Sequence, residues 1–122
     1  MKIRTHIYRV ASAALLLAMS PMAFAHAILV RSTPADQSVV HGRNVAMSLE
    51  YNSRIEASRC TLTLTGPNGL DLPLHMEPTA QPAELKATAS NLANGKYRIH
   101  WQVLASDGHI TRGDVSFTVA AQ

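Results

Sequence analysis

Apolar residues recur at every second position through most of the chain, and this period of two decides what it can fold into. In VAMSLEY, Val45, Met47, Leu49 and Tyr51 share one face; YRIHWQV does the same with Tyr97, Ile99, Trp101 and Val103, and VSFTV with Val115, Phe117 and Val119. CTLTL sets Cys60, Leu62 and Leu64 on one side and threonines on the other. Successive side chains of an extended strand point to opposite faces, so each segment reads as a strand with one buried face, the habit of antiparallel sheets. Shorter apolar pieces at 27–30, 70–74 and 84–89 bring the total to about seven strands, separated by the turn signals TPADQ, GPNG and NLANG. The expected fold is all-β, a seven-stranded Greek-key sandwich or barrel. HMEPTAQPAE, with Pro78 and Pro82, is expected to be a loop.

Residues 1–25 follow a different pattern. Lys2, Arg4 and Arg9 form a basic start, Val10 to Met19 an apolar run, and Ala23-Phe24-Ala25 a small-residue cleavage site, the three parts of a secretory signal peptide. A membrane anchor would need roughly 20 apolar residues, and Ser20-Pro21 ends this run too early. The expectation is a cut after Ala25, leaving 26–122 as one soluble domain in the periplasm. The basic balance then disappears: all eight acidic residues lie beyond the cut with eight of the eleven Lys and Arg, so their charges cancel. Nothing in the charge points to nucleic acid or to a membrane surface. A single cysteine, Cys60, allows no internal disulfide, and its place in CTLTL suggests burial as a small apolar residue.

Sequence signatures of the common enzymes are missing: there is no G-x-S-x-G, no glycine-rich phosphate loop, no H-E-x-x-H and no C-x-x-C. Histidine is what remains. Cleavage would make His26 the first residue, and a first-position histidine can chelate a metal through its α-amine and its ring Nδ1 together. Chance would also place a histidine there in some proteins. In SDGHITRG, Asp107 and His109 stand two apart in an extended segment, so carboxylate and imidazole can point the same way, and Gly108 lets the backbone bend. D-G-H alone is also an ordinary polar turn. Taken together, amine, two imidazoles and one carboxylate form an N3O set, which suits tetragonal Cu(II) better than a thiolate-rich structural zinc site.

The A-x-A leader, the immediate HAILVRSTPAD, the strand VAMSLEYNSRIE and the late YRIHWQVLASDGHITRGDVSFTV together resemble the CopC family of periplasmic copper-binding proteins. That resemblance implies an immunoglobulin-like or cupredoxin-like domain holding one Cu(II) ion on His26, Asp107 and His109. It further implies a role in copper tolerance or supply, often beside an inner-membrane partner of the CopD type. No catalysis is expected, and a monomer is. Some members of the family add a Cu(I) site in a methionine-rich loop, whereas beyond residue 25 this chain has only Met47, on a core face, and Met76. His75-Met76 reads as a solvated pair, His100 as a surface strand residue, His41 as a turn residue and Trp101 as a core anchor.

The chemistry expected of such a site is binding without turnover. Amines ordinarily titrate near about 8 and imidazoles near about 6.5, so copper displaces protons and binding weakens in acid. Cu(I) prefers fewer and softer ligands, so reduction weakens binding too. Two other readings stay open at this level: a small copper oxygenase with a histidine brace, which would need an aromatic face for a polymer, and a metal-free immunoglobulin-like interaction module.

Overall fold

The structure, a computed structural model, describes residues 26–121. The expected leader, residues 1–25, lies outside the described residues. The elements are β1 (Leu29–Thr33), β2 (Ser38–Val40), β3 (Val45–Tyr51), β4 (Thr61–Thr65), β5 (Asp71–Leu72), β6 (His75–Glu77), β7 (Glu84–Ala89), β8 (Gly95–Leu104) and β9 (Ile110–Val119), with one 3-10 turn at Ala57–Arg59. They form two sheets, ordered β1-β3-β7-β6 and β2-β9-β8-β4-β5. Neither sheet closes into a barrel. The chain crosses between sheets from β1 to β2 and back to β3, from β3 to β4, within the β5–β6 connection, and from β7 to β8, the Greek-key path of an immunoglobulin-like sandwich.

The period of two becomes the core. Along β3, Val45, Met47, Leu49 and Tyr51 are buried; along β8, Tyr97, Ile99, Trp101 and Val103; along β9, Val115, Phe117 and Val119. Each side chain of this size contributes roughly 1.5–3 kcal/mol on full burial, so these rows fix the register of both sheets. Tyr97 stacks on Phe117 at 5.5 Å between ring centroids, and Tyr51 meets Trp101 edge-on at 5.3 Å.

The described residues hold nine strands where about seven are expected. The first extra strand, β2, has only three residues and no alternation to announce it; it runs parallel to β9, while the other pairs are antiparallel. The second is β6, which falls in the segment expected to be a loop. There His75, Met76 and Glu77 pair with Thr88, Ala87 and Lys86 of β7, ending just before Pro78. Cys60 sits immediately before β4, half-buried against the core, with its thiol donating to the Glu56 carbonyl at 3.2 Å. Burial pushes that thiol's pKa up.

β9 extends well beyond VSFTV, back to Ile110, and its polar first half is held by β8: Trp101 pairs with Gly113 and Val103 with Thr111. Gly113 is required by its neighbour. A Cβ at this position would lie 2.7 Å from Cε2 of the Trp101 indole, closer than real contacts allow. Gly113→Ala is expected to lower stability by about 1–3 kcal/mol, as overpacking does elsewhere. A urea denaturation midpoint equal to that of the parent protein would show that the indole can swing aside at no cost.

Candidate metal centre

The turn joining β8 to β9 is built by its own backbone. Gly108 donates its N–H to the Ala105 carbonyl at 2.9 Å, and Ala105 donates to the His109 carbonyl at 2.9 Å. Gly108 sits at φ 89°, a left-handed conformation that closes a three-residue hairpin loop and that residues with a Cβ rarely adopt. The result sets Asp107 and His109 side by side. One carboxylate oxygen of Asp107 accepts the His109 backbone N–H at 3.0 Å, and the other lies 2.7 Å from His109 Nδ1. A carboxylate can only accept, so Nδ1 is the donor, and in the neutral ring Nε2 carries the lone pair.

These bonds hold the Asp107 carboxyl below the ordinary carboxylate range, chiefly through the His109 backbone N–H and then its ring, with smaller contributions from the His109 and His26 charges. His26 is thus within electrostatic reach of Asp107. It also touches the other histidine: the His26 and His109 rings meet edge-on, 4.6 Å between centroids. The structure therefore brings all three expected residues to one end of the sandwich. They meet pairwise; among the described residues no three His, Cys, Asp or Glu side chains form a ready-made metal cluster.

His26 is delivered by contacts that sequence reasoning did not assign. Ala27 is buried, and its carbonyl accepts a 2.7 Å bond from the Thr111 hydroxyl on β9. Ile28 donates its N–H to the side-chain oxygen of Asn52 at 2.8 Å, and its carbonyl accepts the Asn52 N–H at 3.0 Å. One signal was available for Thr111, which stands two residues past His109 at the start of a strand and so on the same face.

The remaining histidines lie elsewhere. His100 faces outward from β8 with its Nδ1 2.7 Å from Asp114 Oδ1, and His41 Nδ1 is 3.3 Å from the Ala120 carbonyl. His75 and Met76 are exposed on β6, and His75 lines a cleft of about 670 Å³ with Leu72, Leu74, Leu92 and Tyr97, at the opposite end of the sandwich from the Asp107 turn. Trp101 is a core anchor, as expected; its indole Nε1 is buried with no hydrogen-bond partner, as are Tyr51 Oη and Ser53 Oγ.

Comparison with known proteins gives one consistent answer. The family model for the CopC domain matches residues 29–120. Copper resistance protein C of Xanthomonas campestris pv. juglandis is 32% identical over 108 residues, covering 82% of this chain and 84% of that protein. Among solved structures, CopC from Methylosinus trichosporium OB3b superposes with a TM-score of 0.74 at 28% identity, covering 80% of this chain and 96% of that one. PcoC, a methionine-rich copper resistance protein of Escherichia coli, superposes with a TM-score of 0.66 at 25% identity, covering 78% of this chain and 99% of that one.

Proposed function

The chain belongs to the CopC domain family, and from that premise we propose that it is a periplasmic carrier of one Cu(II) ion, acting in copper resistance or supply once the leader is removed after Ala25. The observation that carries this reading is the meeting of the His26 ring with a His109 ring that Asp107 already holds. The freed amine of His26 and its Nδ1 would close a chelate, His109 would give Nε2, and Asp107 would supply oxygen. The two nitrogens of an imidazole point to opposite sides of the ring, so Asp107 would exchange its bond to His109 Nδ1 for the metal when Nε2 ligates the same ion. Nitrogen and carboxylate donors favour Cu(II).

The carrier reading assigns no reaction to the site. A polysaccharide-oxidising alternative would need exposed aromatic rings beside the copper, and Tyr51, Tyr97 and Trp101 are all buried. A Cu(I) site at His75 and Met76 is disfavoured by their positions, since neighbours on a strand project to opposite faces. Delivery to an inner-membrane protein of the CopD type is part of the same proposal, with the protein acting as a monomer.

The test is a titration of protein beginning at His26 with Cu(II), Cu(I) and Zn(II), with an electron paramagnetic resonance spectrum of the cupric form. One equivalent of Cu(II) is expected to bind with a tetragonal, nitrogen-rich spectrum. Ascorbate with a modest Cu(I) chelator is then expected to strip the metal. Retention of a tightly held Cu(I) ion under those conditions would overturn the Cu(II)-only assignment.

A further inference from the structure

We propose that Asn52 is a positioning residue for the copper centre: it takes over where the first sheet's ladder ends and fixes the chain two residues inside His26. The proposal rests on the copper reading above and deepens it. Chain termini ordinarily fray, and a ligand built on the terminal amine is only as well placed as the last anchored peptide before it.

The ladder between β1 and β3 begins at Leu29 opposite Tyr51, with a register shift between Leu29 and Arg31. Beyond that pair, Asn52 makes both bonds to Ile28, accepting its N–H on the side-chain oxygen and donating its own N–H to the Ile28 carbonyl. On the other side, the Thr111 hydroxyl fixes the carbonyl of buried Ala27. His26 is left one residue beyond a doubly anchored peptide, with its ring against His109.

The same short loop also supports the other half of the centre. The Arg54 carbonyl accepts the Ser106 N–H at 3.2 Å, Ile55 forms a bridge with Ala105, and Glu56 donates its N–H to the Leu104 carbonyl at 2.9 Å. Residues 52–56 thus run from the entry of β1 to the base of the Asp107–His109 turn. The side chain that ties the His26 segment to this loop belongs to Asn52. Without it Ile28 keeps only the bond from the Asn52 N–H to its carbonyl, and the freedom its N–H side regains must again be removed by copper binding, a cost of about tenfold in affinity.

Asn52→Ala and Asn52→Asp, each in protein beginning at His26, test the inference with and without metal. In the metal-free protein, Asn52→Ala is expected to speed hydrogen exchange at the Ile28 amide and to weaken the nuclear Overhauser contact between the His26 and His109 rings. Its Cu(II) affinity is expected to fall about tenfold, with a broadened paramagnetic spectrum. Its denaturation midpoint should stay close to the parent's, because Asn52 is exposed. Asn52→Asp keeps an acceptor oxygen and should restore Ile28 protection and the ring contact. Unchanged exchange and ring contact in Asn52→Ala would overturn the positioning role whatever copper does. Parent protein that fails to bind Cu(II) through its amine would instead sink the copper reading, and the metal-free measurements would still decide the role of Asn52.

Discussion

Protein beginning at His26 with its α-amine acetylated is expected to bind Cu(II) roughly a hundredfold more weakly than the unblocked protein, a larger loss than most outer-shell changes produce. Acetylation turns the amine of His26 into an amide and supplies no second amine, whereas an added glycine would build a new amine–amide–imidazole chelate for Cu(II). Both imidazoles survive, and so does the fold, because the peptide that follows His26 is held by bonds of its own to Thr111 and Asn52. Competition with a Cu(II) chelator measures the loss, and the paramagnetic spectrum should change along with it. Equal affinity with and without the acetyl group would exclude amine ligation and leave the position of His26 unexplained.

Replacing His109 has an effect of the same order. His109→Ala removes one ring and should reduce Cu(II) affinity about a hundredfold, while Asp107→Ala should cost about ten- to a hundredfold by removing an oxygen donor and the group that turns His109. Both side chains are on an exposed turn, so circular dichroism and the thermal midpoint should barely move. The pH response follows from the lowered Asp107 pKa. A carboxyl depressed in the folded state keeps its favourable contact above the ordinary carboxylate pKa and loses it only as pH falls through the lowered value. Copper loss on mild acidification therefore starts with protons competing for the nitrogen donors, while Asp107 is still ionised. Full affinity in both variants would remove the D-G-H turn from the centre.

The longest strands were legible in the sequence because their apolar rows are long enough to show a period. β3, β8 and the second half of β9 stand where Val45 to Tyr51, Tyr97 to Val103 and Val115 to Val119 put them. β2 and β6 were not, since three residues cannot display alternation and Pro78 and Pro82 argue for a loop beside His75. The first half of β9 was hidden for another reason. Thr111, Arg112, Gly113 and Asp114 have little apolar character, and they are extended because β8 offers them a template. The three candidate site residues, which the structure brings to one end of the sandwich, stood out because metal chemistry needs particular side chains at particular spacings. Asn52 and Thr111 were not assigned a role because they act on backbone atoms of Ile28 and Ala27, whose side chains need have no special character.

The bond between Thr111 and Ala27 joins residues 84 apart in the sequence. In an unfolded chain the two sides of the centre wander independently, and bringing them together carries the entropy of closing a long loop. The proposed ligand set would therefore be complete only in the folded state, and copper affinity and folding would become two readings of one equilibrium. At a free copper concentration a hundred times the dissociation constant, binding adds about 2.7 kcal/mol to the stability of the loaded protein. A carrier built this way is most resistant to unfolding while it holds its cargo, and delivery returns it to its less stable form.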